Sequence, residues 1–264
     1  MCRFLAYRGS PIFLDELVSS PEHSLVRQSI HAEQAKTETN GDGFGIGWYA
    51  HHTHPGVYRE VHPAWSDENL RSICSQVTSG LFFAHVRAAT GTSTSRSNCH
   101  PFSHGKWMFM HNGQIGGWHT IRRDVEALIT NDAYTARLGT TDSEAIFLAA
   151  LSRGLENDPI GAMTKTIRDI RNLQTKYKIT TPLRFTAAMT DGVDMFAFRW
   201  SSDDQPPTLY WQATDQGMIV VSEPLDHDHG HWNEVPKNSV FSTVKSDTVC
   251  YDFLPTHDTA DALN

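Results

Sequence analysis

Short apolar runs alternate with polar breaks marked by glycine or proline along this 264-residue chain, and the period of each run predicts an element. FGIGWYA (44–50) and GVYREV (56–61) flank a histidine-rich turn and predict a hairpin. LFFAHVR (81–87) is apolar enough for a buried strand, and KWMFMHNG (106–113) is expected beside it, ending in a turn. RFTAAMT (184–190) and VDMFAFRW (193–200) are joined by Asp191-Gly192, a dipeptide that tight hairpins favour. Further runs at 208–213, 217–223, 239–243 and 248–253 make the second half rich in strands.

Helical periodicity is rarer. Ile121, Val125, Leu128 and Ile129 share one face of a helix near 119–131. Residues 143–155 follow the polar TTD and are apolar on every side, so they should pack deep. Residues 159–177 begin with a proline suited to a first helical turn and carry Met163, Ile167 and Ile170 on one stripe. Short helical turns are expected between Leu14 and Ile30, broken near Pro21. No repeat or low-complexity linker divides the chain. The expectation is one domain over residues 2–264, of α+β class, with helices outside stacked, largely antiparallel sheets.

Composition narrows the function. Lys and Arg total 22 against 30 Asp and Glu, and no basic stripe is present, which argues against a nucleic-acid partner. Cys2, Cys74, Cys99 and Cys250 form no C-x-x-C pair and are too few for a disulfide framework, so free thiols in a reducing compartment are expected. MCRFLAYRGS lacks the apolar run of a signal peptide, and no segment has the apolar length of a membrane span. A cytoplasmic protein without a membrane partner is expected. The 15 histidines cluster at 51–56 and in DHDHGHW (226–232). The latter offers three His and two Asp, a set able to hold Zn²⁺ or Ni²⁺. Neighbours within one loop are poorly preorganised, so a solvated loop is expected, with no metal and no cofactor. NGDGFGIG (40–47) runs into a strand rather than from strand to helix, which excludes dinucleotide binding. Its glycines are expected to allow close backbone approach near the Cys2 terminus.

Five segments carry candidate chemistry. Removal of Met1 leaves Cys2 first, so one residue holds a thiol nucleophile and an α-amine whose pKa of about 7.7–8.0 suits a general base. Arg87, at the end of HVRAAT (85–90), can clamp a carboxylate or form a structural ion pair. Asn112-Gly113 can present a side-chain amide and a backbone N–H to a developing oxyanion, or simply close a turn. In TTDSE (140–144), Asp142 can hold an ammonium, while Thr141, Asp142 or Ser143 can cap the following helix. Asp42 lies in the glycine-dense segment.

The order MC, NGDGFG, HVRAAT, CHPF (99–102), HNG, TDSE resembles the class II glutamine amidotransferases across residues 2–155. VSEPLD (221–226) and WNEVP (232–236) look like the stand-alone members of that family, such as the YafJ-like proteins and the ergothioneine-pathway γ-glutamyl hydrolase. The resemblance implies a four-layer αββα sandwich of the N-terminal-nucleophile (Ntn) hydrolase type. It also implies roles: Cys2 as nucleophile, Asn112 and Gly113 as oxyanion hole, Arg87 for the α-carboxylate and Asp142 for the α-ammonium of glutamine or a γ-glutamyl compound. His85 and His100 match positions beside the substrate pocket, with an architectural role, and Asp42 supports the site from behind. Two features depart from the larger amidotransferases. Arg87 is followed by Ala88-Ala89-Thr90, and the loop GTSTSRSN (91–98) differs, which bears on pocket closure and substrate choice. No synthase domain follows, so the expected partner is either none or a separate synthase subunit. A non-catalytic γ-glutamyl-binding subunit and a redox-sensing thiol protein are the alternatives. The intact set of Cys2, Asn112 and Gly113 argues against the first, and the lack of a resolving cysteine pair against the second.

Overall fold

Period-two alternation builds this molecule outward from an apolar layer between two sheets. A computed structural model describes residues 2–33, 39–89, 93–244 and 249–254. The strands are β1 (Arg3–Phe13), β2 (Phe44–Trp48), β3 (Gly56–Glu60), β4 (Thr78–Val86), β5 (Phe102–His104), β6 (Trp107–Gln114), β7 (Arg184–Thr190), β8 (Met195–Ser201), β9 (Tyr210–Ala213), β10 (Gly217–Val221), β11 (Asn233–Glu234), β12 (Ser239–Ser242) and β13 (Val249–Asp252). The helices are α1 (Asp15–Val18), α2 (Leu25–Ile30), α3 (Glu68–Cys74), α4 (Trp118–Glu126), α5 (Asn131–Tyr134), α6 (Asp142–Leu151) and α7 (Pro159–Lys176). One sheet runs β11-β9-β10-β1-β4-β2-β3 and the other β13-β12-β8-β7-β6-β5. Every ladder in both is antiparallel.

Side chains sort by parity into three apolar layers. Phe4 and Ala6 of β1, Phe83 of β4, Met108 and Met110 of β6 and Ala197 of β8 form the layer between the sheets. Leu5 and Tyr7, on the opposite face of β1, pack with Val18, Leu25 and Leu70 of α1, α2 and α3. Trp107 and Phe109 of β6 pack with Ile121, Val125, Phe147, Met163 and Ile167 of α4, α6 and α7. The result is the four-layer αββα sandwich.

The hairpins 44–61 and 184–201 form as the patterns predict. In the second, Asp191 Oδ1 accepts from the N–H groups of Val193 and Asp194 at 3.0 and 2.8 Å, which closes the turn. α7 starts with Asp158 capping Gly161 N at 2.9 Å and Pro159 in its first turn. α4 stops at Glu126, short of the expected 131. There the Leu128 N–H bonds to Val125, three residues back, which tightens and ends the helix, yet Ile129 stays buried in the same layer.

Three expectations need correction. β6 is not the neighbour of β4: it pairs with β5 and β7 in the other sheet, while β4 pairs with β1 and β2. Both strands are apolar on both faces because they are stacked across the central layer, a pattern that cannot tell stacking from pairing. Asn112-Gly113 does not close a turn either. β6 runs through it to Gln114, with Asn112 opposite Thr186 and Gly113 opposite Phe185. Nor do the glycines of 40–47 serve the Cys2 terminus. A Cβ on Gly45 would lie 2.2 Å from the carbonyl oxygen of His100, so that glycine lets residues 99–101 cross the face of β2. The longest strand, β1, is not predicted at all. Thr90–Thr92 and Thr248, parts of predicted segments, lie outside the described residues.

α6 buries residues 143–150, as its all-round apolar pattern implies. Its Phe147 ring stacks on Phe109 of β6, with centroids 5.5 Å apart and planes within 2° of parallel. Replacing Phe147 with Ala should destabilise the protein by about 3–5 kcal/mol, read from urea unfolding. A loss below about 1 kcal/mol would mean that this sheet–helix contact is not a core contact.

Candidate active site

The same parity that builds the layers brings the candidate residues together. Cys2 continues the Phe4–Ala6 face of β1, and Asn112 continues the Met108–Met110 face of β6. A residue from each sheet therefore projects into the same layer at the same end of the sandwich. A cleft of about 380 Å³ opens there, large enough for an amino-acid-sized ligand. Cys2, Arg87, His100, Gly113 and Asp142 line it. Asn112, His85 and Asp42 are not part of its wall and stand behind it.

The Cys2 sulfur accepts from the Ala88 N–H at 3.4 Å and faces the Ala88 carbonyl at 3.6 Å. Burial pushes the thiol pKa up, and the Ala88 backbone contact and the Arg87 and Arg3 charges oppose that rise. Ala88 is held in turn: its neighbour Ala89 donates its N–H to Asp42 Oδ2 at 2.7 Å. Arg87 is buried just past the end of β4, with Nη1 donating to the Asp42 carbonyl at 3.1 Å and Nη2 to that of Ser93 at 3.4 Å. Asp42 thus supports both the backbone beside the sulfur and the guanidinium.

Asn112 is buried, and its Nδ2 has no hydrogen-bond partner among the described residues. A buried amide donor without an acceptor costs about 1–3 kcal/mol, a cost that a ligand oxygen can remove. Gly113 admits no side chain, because a Cβ there would lie 1.9 Å from the Arg184 carbonyl oxygen on β7 and 2.4 Å from His111 Nε2.

Asp142 is the first residue of α6, and Thr141 is its cap, with Oγ1 accepting from Glu144 N at 3.2 Å. The Asp142 carboxylate accepts from Ser143 N and Ile115 N, both at 2.8 Å. The cap of α6 is therefore Thr141 rather than Asp142. Asn98, from the loop 91–98, bonds Ser93 O at 2.8 Å and Thr140 N at 2.8 Å, joining the arginine side of the cleft to the aspartate side.

Three buried histidines gather at the back of the cleft, His100 and His111 in its wall and His85 behind it. His111 Nε2 donates to Arg184 O at 3.1 Å, which leaves Nδ1 to accept from the Ser143 hydroxyl at 2.8 Å. His85 and His100 lie with ring centroids 4.2 Å apart, and neither ring nitrogen of His100 has a hydrogen-bond partner among the described residues. Burial pushes His85 down to about 3 and lowers His100 and His111, so all three rings are neutral.

His111, Ser143, Ile115 and Ala88 are absent from the sequence-level set. His111 sits in the segment HNG, so its adjacency is visible, whereas the backbone roles of Ala88 and Ile115 leave no trace in residue type. The histidine clusters play no part here. Residues 51–54 are exposed at the β2–β3 turn, and His227, Asp228 and His231 are exposed in the loop after β10. The four cysteines are unpaired, and Cys250 is exposed rather than buried. Among the described residues, one group brings ligand-type atoms close enough for a metal ion: His23, Glu33 and Glu223. Glu223 is already engaged there by Arg3, His23 and the Glu33 N–H. No helix among the described residues is long and apolar enough to cross a membrane.

An αββα sandwich with a near-terminal cysteine facing an asparagine–glycine pair across its central layer defines an amidohydrolase of the Ntn type. The chain belongs to the class II glutamine amidotransferases, whose family model matches residues 19–205. It is 33% identical to a yeast (Saccharomyces cerevisiae) protein named "Probable glutamine amidotransferase DUG3", over 94% of this chain and 83% of that one. It is 30% identical to the γ-glutamyl-hercynylcysteine sulfoxide hydrolase of Mycolicibacterium smegmatis, over 89% of this chain and 92% of that one. A solved class II domain protein from Silicibacter pomeroyi superposes with a TM-score of 0.77 at 38% identity, covering 96% of this chain and all of the other.

Two predictions follow from this geometry. In the unfolded chain the three histidines titrate near 6.5. Their folded pKa values are depressed, so below pH 6.5 the unfolded chain binds more protons than the folded one. The stability they confer is full above pH 6.5 and lost as pH falls, by at most about 1.4 kcal/mol per pH unit for each ring. Urea midpoints should drop between pH 7 and pH 5, and a flat profile would show that the rings protonate without unfolding. Separately, Gly113→Ala should cost about 1–3 kcal/mol of stability, as overpacking does, because both atoms it meets are held by β7 and α6. An unchanged urea midpoint would mean that β6 and β7 part freely at this point.

Proposed function

We propose that this protein hydrolyses the side-chain amide of glutamine, or of a γ-glutamyl compound, through a γ-glutamyl thioester on Cys2. The proposal treats residues 2–264 as a single domain carrying the whole site. The observation that carries it is the meeting of a thiol, a cation, an anion and an unsatisfied amide donor in and behind one cleft, which matches the functional groups of a γ-glutamyl end one for one.

Arg87 would pair with the substrate α-carboxylate and Asp142 with its α-ammonium, which fixes the γ-carbonyl carbon against the Cys2 sulfur. With Met1 removed, the Cys2 α-amine takes the thiol proton, and the sulfur adds to the carbonyl carbon. Asn112 Nδ2–H and the Gly113 N–H hold the resulting oxyanion. Collapse breaks the C–N bond, and the protonated α-amine returns its proton to the departing ammonia or amine. Water then adds to the thioester, and glutamate leaves with the thiol restored. The names of the relatives support this reading, since one is named a γ-glutamyl-hercynylcysteine sulfoxide hydrolase and another a "Probable glutamine amidotransferase".

A purely binding role fits less well, because carboxylate and ammonium recognition needs neither a thiol in the cleft nor a donor at Asn112. A panel of γ-glutamyl amides and peptides, assayed for released glutamate, tests the proposal. At least one member should turn over, Cys2→Ala should abolish turnover, and Asn112→Ala should lower kcat by about 10²–10³-fold. Turnover that persists in Cys2→Ala would sink the mechanism. Glutamate release that needs a separate synthase subunit would make that subunit the acceptor of the ammonia, with water still hydrolysing the thioester.

A further inference from the structure

Cys2 stands just before β1, outside its ladders, so its backbone needs a tie from elsewhere in the fold. Here the tie is a buried ion pair. Arg3, wholly buried, donates Nε to Glu223 Oε2 at 2.6 Å and Nη1 to the carbonyl oxygen of Cys2 at 3.2 Å. Glu223, also buried, follows β10 in the segment Ser222-Glu223-Pro224. Its other oxygen accepts from His23 Nε2 at 2.7 Å and from the Glu33 N–H at 2.8 Å. Ser222 adds a second grip, its Oγ accepting from Phe4 N at 2.9 Å. Gln28 anchors the segment from the far side, donating to the Glu223 and Pro224 carbonyls at 3.3 and 3.2 Å.

We propose that the Arg3–Glu223 pair is a positioning device for the nucleophile: it clamps the backbone of Cys2 in the cleft and so sets where the sulfur stands. The inference rests on Cys2 being the attacking residue. It assigns a task to VSEPLD, which the catalytic chemistry leaves unused. The pair touches neither the substrate groups nor the reacting atoms. A buried arginine–carboxylate pair is a weak source of net stability but a strict source of geometry. One guanidinium edge serves Glu223 while another nitrogen serves the Cys2 carbonyl, a division that lysine cannot reproduce.

Glu223→Gln keeps the shape and removes the charge, and Arg3→Lys keeps the charge and removes the fork. The test compares both with the parent chain by the rate of Cys2 alkylation with iodoacetamide. Peptide mass separates Cys2 from the exposed Cys250, and intact mass confirms loss of Met1. Thermal melting identifies the variants that fold, and Arg3→Lys carries the test if Glu223→Gln does not. A released terminus should expose a thiol that burial otherwise restrains. Alkylation at pH 7 should therefore rise about tenfold, and its half-maximal pH should move down toward the ordinary cysteine value of about 8.5. Glutamate release should move the opposite way, with kcat falling about tenfold or more and KM within about threefold. Unchanged or slower alkylation in a folded variant overturns the clamp. If the parent chain releases no glutamate from any substrate while alkylation still rises in the variants, the clamp stands and the proposed hydrolase activity falls.

Discussion

The placement of β1 between β10 and β4 is the constraint on which the site depends. The residues that follow Cys2 lie in the middle of a seven-stranded sheet, with Arg3 opposite Val86 and Leu5 opposite Val221. The ladders on both sides, the ion pair to Glu223 and the Ser222 contacts hold the first residues as firmly as core. That order allows a thiol at position 2 to face a fixed target in the other sheet. A catalytic group on an exposed loop would have to be ordered by substrate, at the expense of binding.

Burial then sets the electrostatics. Three histidines crowd the back of the cleft, and all are neutral because the low-dielectric surroundings disfavour imidazolium. They add no positive charge of their own, and Arg87 and Arg3 are among the cations that oppose the rise in the Cys2 thiol pKa. The same desolvation that raises the thiol pKa strengthens every hydrogen bond aimed at an oxyanion. A site of this kind gives up some thiolate in the resting state and gains stabilisation when charge moves to the substrate oxygen. A base that travels on the nucleophilic residue itself suits that exchange, because the proton need move only a short way.

Much of this fold is legible in the chain, and the failures share a cause. Hairpins with a turn dipeptide and helices with a clear stripe are local facts, so RFTAAMT, VDMFAFRW and residues 159–177 read correctly. β1 is unreadable because Arg3, Arg8, Ser10 and Pro11 interrupt its alternation, and its order comes from partners as distant as residues 216–223. The pairing of β4 with β6 misreads for a similar reason: an apolar strand looks the same whether its neighbour is beside it or stacked ten ångströms away. Asn112-Gly113 reads as a turn because that dipeptide usually is one. Here tertiary packing keeps it extended, with Gly113 pressed against β7. The candidate residues themselves come mainly from motif order. Their spacing along the chain says nothing of the cleft, which β1, β4, β6 and α6 assemble from residues 2, 87, 113 and 142.

The supports behind those residues are shared. The Asp142 carboxylate, proposed to meet the substrate ammonium, accepts the N–H of Ile115, two residues beyond Gly113 on the same chain segment. From the adjacent Ser143 a second path runs through His111 to the Arg184 carbonyl, the atom against which Gly113 is packed. Both paths start at the first turn of α6 and end beside the Asn112-Gly113 backbone. In the proposed mechanism, recognition of the α-ammonium and placement of the oxyanion donors are therefore geometrically one problem, solved by docking one helix end on one strand end. A shift of α6 large enough to loosen the ammonium would move the donors as well. This explains why the segment TTDSE combines a cap, a strand-binding carboxylate and a histidine partner in consecutive residues: each fixes the same junction, and none can be displaced without disturbing the others.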